Sequence, residues 1–177
     1  YPLWFTFLTK LGFKVVLSDH SNRRIYESGM ESMPSESVCY PAKLVHGHIM
    51  NLLDKGVKTI FYPCLMYERQ EFKNSDNCYN CPIVQSYSEA IKLNVEAINK
   101  EDITFVNPFL PIKEENLLSR LMEIDFFKSL NISKDKMKEA LHEGFVELDK
   151  FKEDVRKQGE KFLDYVVMHD EKAIVLA

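Results

Sequence analysis

An α/β chain, with a parallel sheet, flanking helices and a helical C-terminal extension, is what the amino-acid sequence predicts. Two observations carry the prediction. An apolar helical stretch, a glycine and a β-branched run follow one another twice, over Leu3 to Leu17 and over Pro41 to Tyr62, which is the pattern of βαβ units. After Pro111 the chain changes character, and segments rich in Glu and Lys read as helix.

The elements follow in order. Leu3 to Leu11 is an apolar, aromatic helix with Gly12 as its C-cap. Phe13 to Leu17 is a first strand, which Ser18 and Asp19 close. Ser21 caps a short helix from Asn22 to about Ser28, and Gly29 ends it. From Pro41 to Lys55, apolar residues at 41, 44, 45, 49, 52 and 53 keep helical spacing; Pro41 suits the first turn, where its missing N–H costs nothing, and Gly56 is the stop. Val57 to Tyr62 is a second strand, with Pro63 and Cys64 at its end. Met66 to Asn80 is a long polar loop, of the kind that carries function. Ser86 or Ser88 opens a helix through Ile98, and Ile103 to Asn107 makes a third strand ended by Pro108. Lys113 to Ser129 and Lys134 to about His169 are helices, the second with Ser133 as N-cap. Gly144 and Gly159 weaken that long helix locally, and its charges read as a solvated face. The expected organisation is a cysteine-bearing α/β domain over residues 1–110, a helical extension over 111–170 and the start of a further strand over 171–177.

A chain of 177 residues can bury one substantial core. A formal charge of -4 leaves no basic footprint, so nucleic acid is not an expected partner. No apolar run approaches the roughly 20 residues that span a bilayer, and Tyr1 to Lys10 has neither the basic start nor the cleavage site of a signal peptide. The start at Tyr1 and the stop inside the apolar run Lys172 to Ala177 are expected of a piece of a longer polypeptide. With four cysteines in a chain of this length, metal or redox chemistry in a reducing cytoplasm is expected ahead of a disulfide framework.

Those cysteines fall where an α/β chain puts its working loops. Cys39 precedes a helix, Cys64 follows a strand, and Cys78 and Cys81 lie in the loop before another helix. Ligands of open parallel sheets sit beyond the carboxyl ends of the strands, and helices begin at the same edge. Thiols distant in sequence therefore have a topological reason to meet, and a helix N-terminus favours the thiolate that binds metal. The plain alternative is that Cys39 and Cys64 are small buried residues. Cys78 and Cys81 form a CxxC, which is half a tetrahedral zinc site, a redox pair or coincidence; no second CxxC exists. His46 and His48 flank Gly47 and project about 200° apart, so both cannot face one site. Gly47 in mid-helix points to a close backbone or ligand approach. Tyr67, Glu68, Arg69 and Tyr79 form no recognisable triad, and phosphate-cradling signatures are absent.

Three blocks carry a family likeness: Pro34-Ser-Glu36-Ser-Val-Cys39-Tyr-Pro41-Ala-Lys43-Leu-Val-His46-Gly47-His48, Ile60-Phe-Tyr-Pro63-Cys64, and Asn80-Cys81-Pro82-Ile-Val. They resemble the 2-hydroxyacyl-CoA dehydratase-related proteins, and most closely the large CoA-substrate-specific enzyme activases of anaerobic bacteria. The likeness runs from about Leu3 to Asn107 and extends less specifically to Ala177. It implies Rossmann-like subdomains that hold a [4Fe-4S] cluster, used for low-potential electron transfer or reductive chemistry. The matching ligands are Cys39, Cys64 and Cys81, with Cys78 as a less clearly matched fourth. It also implies an ATP-dependent activator module of the acetate-kinase/actin-like superfamily, in the same or a partner chain, and an acyl-CoA substrate. Beside it stand two other expectations, a structural zinc domain and an interaction module that docks through the long helix.

Overall fold

The computed structural model describes residues 1–100 and 102–174. In chain order it contains α1 (Pro2–Leu11), α2 (Arg23–Ser28), α3 (Tyr40–Asp54), β1 (Thr59–Phe61), β2 (Cys64–Leu65) and α4 (Pro82–Asn94). These are followed by β3 (Thr104–Val106), β4 (Phe109–Leu110), α5 (Glu114–Glu123), α6 (Asp125–Ser129) and α7 (Lys134–Met168). Two compact units form, one from Tyr1–Val15 with the chain from Ser133 onward, the other from Val16–Ile132. The expected division at residue 110 differs from this one: α1 belongs with α7, and α5 and α6 belong with the α/β unit.

In the α/β unit β1 pairs with β3 and β2 with β4, both parallel. Thr59 faces Thr104 and Cys64 faces Phe109, so the register is unbroken across the gap and Pro63 stands opposite Pro108. Tyr62, Cys64 and Met66 donate to the carbonyls of Val106, Pro108 and Leu110 in turn. Residue 108 occupies the place of a returning donor, and a proline has no N–H to give. One parallel ladder is thus divided into two short sheets.

The first expected strand is a correction, because Phe13 to Leu17 is irregular. A side chain of α3 and that of its C-cap residue Lys55 hold the end of this segment instead. Lys55 Nζ donates to the Leu17 carbonyl at 2.8 Å, and the Asp19 N–H donates to Asn51 Oδ1 at 2.9 Å. A β-branched run becomes a strand only where a neighbour pairs with it. Three smaller corrections concern helix starts and breaks. Asn22, not Ser21, caps α2, accepting from the Ile25 N–H. α4 begins at Pro82 rather than at Ser86 or Ser88. The helix expected from Lys113 to Ser129 breaks at Ile124, whose ψ of 124° is extended. Of the strand expected from residue 171, residues 171–174 have no regular structure and 175–177 lie outside the described residues.

The core of the α/β unit gathers Ala42, Ile49, Ile60, Tyr87, Ile91 and Val95 around β1. α3 buries Ala42, His46 and Ile49, one stripe at steps of four and three. Gly47 lets α2 cross α3 closely: a Cβ there would stand 1.6 Å from the Ile25 carbonyl oxygen. In the other unit α1 buries Leu3, Phe7 and Leu11, and α7 buries Met137, Ala140, Leu141, Gly144 and Phe145. Each large side chain among them gains about 1.5–3 kcal/mol by leaving water. Trp4 stacks edge-on against Phe7 on α1, ring centroids 6.0 Å apart. Among the described residues no helix is long and apolar enough to cross a membrane.

Candidate functional site

Two helices of the α/β unit open on a cysteine in the same way. Cys39 is the N-cap of α3 with φ −61° and ψ 150°, and Cys81 is the N-cap of α4 with φ −62° and ψ 154°. A proline follows in the first turn of each, Pro41 and Pro82. Neither thiol makes a capping hydrogen bond, and both residues are exposed. Each cysteine thus sits at a helix start, where the first N–H groups have no partner within the helix. The Asn80 N–H donates to the Met66 carbonyl and its Nδ2 donates to the Leu65 carbonyl, both at 3.1 Å, which fixes the approach to Cys81.

Cys64 is fully buried at the start of β2, its Sγ 2.8 Å from Ser88 Oγ. Ser88 lies seven residues into the helix that Cys81 caps, about 10 Å along its axis. Cys64 and Cys81 are therefore met by different turns of α4. Burial, with the nearby Cys64 and Tyr87 adding to it, pushes the Tyr62 phenol up to about 12. Burial also raises Tyr87, and the charge of an ionised Cys39 adds to that rise. Cys78 is half-buried in the long loop, where its carbonyl accepts from the Glu68 N–H at 2.9 Å beside an antiparallel bridge of Tyr67 with Tyr79.

Behind Cys39, His46 is fully buried. Its Nδ1 lies 2.8 Å from Ser32 Oγ and its Nε2 lies 3.0 Å from the Tyr87 hydroxyl. Ser32 Oγ donates to the Gly29 carbonyl at 3.0 Å, so it accepts from His46 Nδ1–H. The Tyr87 hydroxyl then donates to Nε2. Burial lowers the His46 pKa, in keeping with a neutral ring. His48 points elsewhere, as the 200° separation requires. Its Nε2 meets Ser21 Oγ at 3.0 Å, and among the described residues its buried Nδ1 has no hydrogen-bond partner.

Sequence reasoning located the four cysteines and both histidines but missed Ser32, Tyr62, Tyr87 and Ser88. Tyr87 and Ser88 carried a signal, since they share the inner face of α4 with Ile91 at helical spacing. Ser32 carried none.

Four thiols form a soft donor set that suits iron–sulfur chemistry, and the unengaged sulfurs of Cys39 and Cys81 fit a ligating role. Among the described residues, however, no three Cys, His, Asp or Glu side chains come together as a metal-holding group. The donors fit in kind, and their closure into a site is not provided by these residues as they stand. An open depression of about 710 Å³ beyond β2 and β4 is lined by Met66, Phe109, Asn116 and Arg120 among others, and by none of the cysteines.

Set against known protein families, residues 1–177 match the one described as CoA enzyme activase uncharacterised domain. The chain belongs to this family. No curated protein and no solved structure matches it. As a CoA enzyme activase domain it belongs to machinery that has an enzyme as its partner.

Proposed function

We propose that this activase-family domain contributes thiol ligands to an iron–sulfur cluster of the [4Fe-4S] type. Cys39, Cys64 and Cys81 are the ligands, Cys78 is the fourth, and further protein closes the site. The observation that carries this is the pair of cysteine N-caps with matching backbone geometry and unengaged sulfurs at the starts of α3 and α4. When bound, such a cluster supplies low-potential electron transfer or reductive chemistry. The chain's own residues hold the surroundings. His46 orients the Tyr87 hydroxyl, Ser88 engages the Cys64 sulfur, and the core around Ile60 and Ile91 excludes water behind them. Added strands beside β1 and β3 would complete a Rossmann-like layer. The partners in this proposal are an ATP-dependent activator module of the acetate-kinase/actin-like superfamily and an enzyme acting on acyl-CoA.

Iron and sulfide analysis of the anaerobically prepared parent protein tests the proposal. Both elements are expected, with broad visible absorption that Cys39→Ala, Cys64→Ala and Cys81→Ala each weaken. One zinc per chain without sulfide, or no metal at all, would overturn it.

A further inference from the structure

α7 is 35 residues long, about 52 Å. Its buried residues all lie in the first three turns, ending at Phe145. The apolar stripe does not end there. Leu148, Phe151, Val155, Phe162 and Tyr165 continue Leu141 and Gly144 in alternating steps of three and four, broken only by Gln158. This is the seven-residue repeat of helices that wrap around one another. Yet Phe151, Val155 and Phe162 are 49%, 55% and 58% exposed.

We infer that a second copy of this chain covers the stripe, its α7 running antiparallel about a two-fold axis between Arg156 and Lys157. This alignment sets Leu148 against Tyr165, Phe151 against Phe162 and Val155 against Gln158. Two observations select it. The first is charge. In an antiparallel pair the residues just before every second stripe position, here Glu147, Asp154 and Lys161, face their counterparts on the other helix. Here Asp154 meets Lys161 of the second copy, and Lys161 meets Asp154. Glu147 and Glu153 already pair along their own helix with Lys150, Arg156 and Lys157. Among the described residues Asp154 and Lys161 form no ion pair. A shift of one repeat toward the N-terminus would instead oppose Asp154 to itself and Lys152 to itself. The second observation is length. The helix end at Met168 falls opposite Phe145, the last residue of the buried stripe, so the free stretch on each copy matches the free stretch on the other.

Sedimentation equilibrium of the full chain tests this, with circular dichroism to confirm that each variant keeps its helix. The wild-type chain is expected to dimerise. Lys161→Asp or Asp154→Lys alone turns two attractions into two repulsions and should weaken the dimer about tenfold. The double variant Asp154→Lys/Lys161→Asp should restore it. A chain that stays monomeric up to about 100 µM, single reversals without effect, or a double variant that fails to rescue would each overturn the inference.

Discussion

Two helix crossings in this chain are built on a mid-helix glycine, and they differ in how closely the backbones meet. At Gly47 of α3, an added Cβ would lie 1.6 Å from the Ile25 carbonyl oxygen. Gly29 reciprocates, since a Cβ there would lie 2.3 Å from the Gly47 nitrogen. At Gly144 of α7 the atom nearest to an added Cβ, the Leu3 carbonyl oxygen, would stand 2.9 Å away, and at Gly159 of the same helix nothing among the described residues would lie within 4 Å of one. Three glycines in similar helical surroundings thus do three different things. The tight crossing also holds the turn at Met30–Ser32 against α3, so that Ser32 reaches His46.

The sharpest way to break the first crossing is Gly47→Ala. Two backbones would have to separate, and we expect a loss of roughly 4 kcal/mol or more, or failure of the α/β unit to fold. Denaturant unfolding followed by circular dichroism measures it; a cost below about 1 kcal/mol would contradict so close an approach. Tyr87→Phe leaves His46 Nε2 buried without its donor, at an expected cost of about 1–3 kcal/mol in the same assay. Gly144→Ala should cost about 1–2 kcal/mol, because Leu3 needs to move only a little.

A pH series separates the two sides further. Burial holds His46 below its ordinary value of 6.5, so between its folded value and 6.5 the unfolded chain binds more protons than the folded one. Stability should therefore fall as pH drops below about 6.5, and His46→Gln should flatten that part of the slope. The smallest effect belongs to Gly159→Ala. With open space around the site, it should raise stability by about 0.5–1 kcal/mol through helix propensity alone. A loss there would mean that something packs on Gly159.

Much of this was legible from residues that punctuate the chain. Gly12 and Gly56 both adopt positive φ, 101° and 77°, at the ends of helices that the sequence places there. Pro41 sits in the first turn of α3, and Ser133 caps α7 by accepting from the Lys136 N–H. Gly47 marked a close backbone approach, which α2 supplies. What could not be read was non-local. Phe13 to Leu17 has strand-like residues, but pairing depends on a neighbour that no local pattern specifies. β2 and β4 escaped notice because Pro63 and Pro108 looked like the ends of strands, although the register continues beyond both. The positions of the cysteines were legible, whereas the buried links from Ser32 through His46 to Tyr87 span 55 residues of chain and leave no periodic trace.

Trp4 is the sole tryptophan of the chain, and it sits on α1 against Phe7. Intrinsic fluorescence excited at the indole therefore watches the α1–α7 unit alone, while far-ultraviolet ellipticity sums over both units. If the two melt at different denaturant concentrations, the two optical signals will part company, without any label having been added.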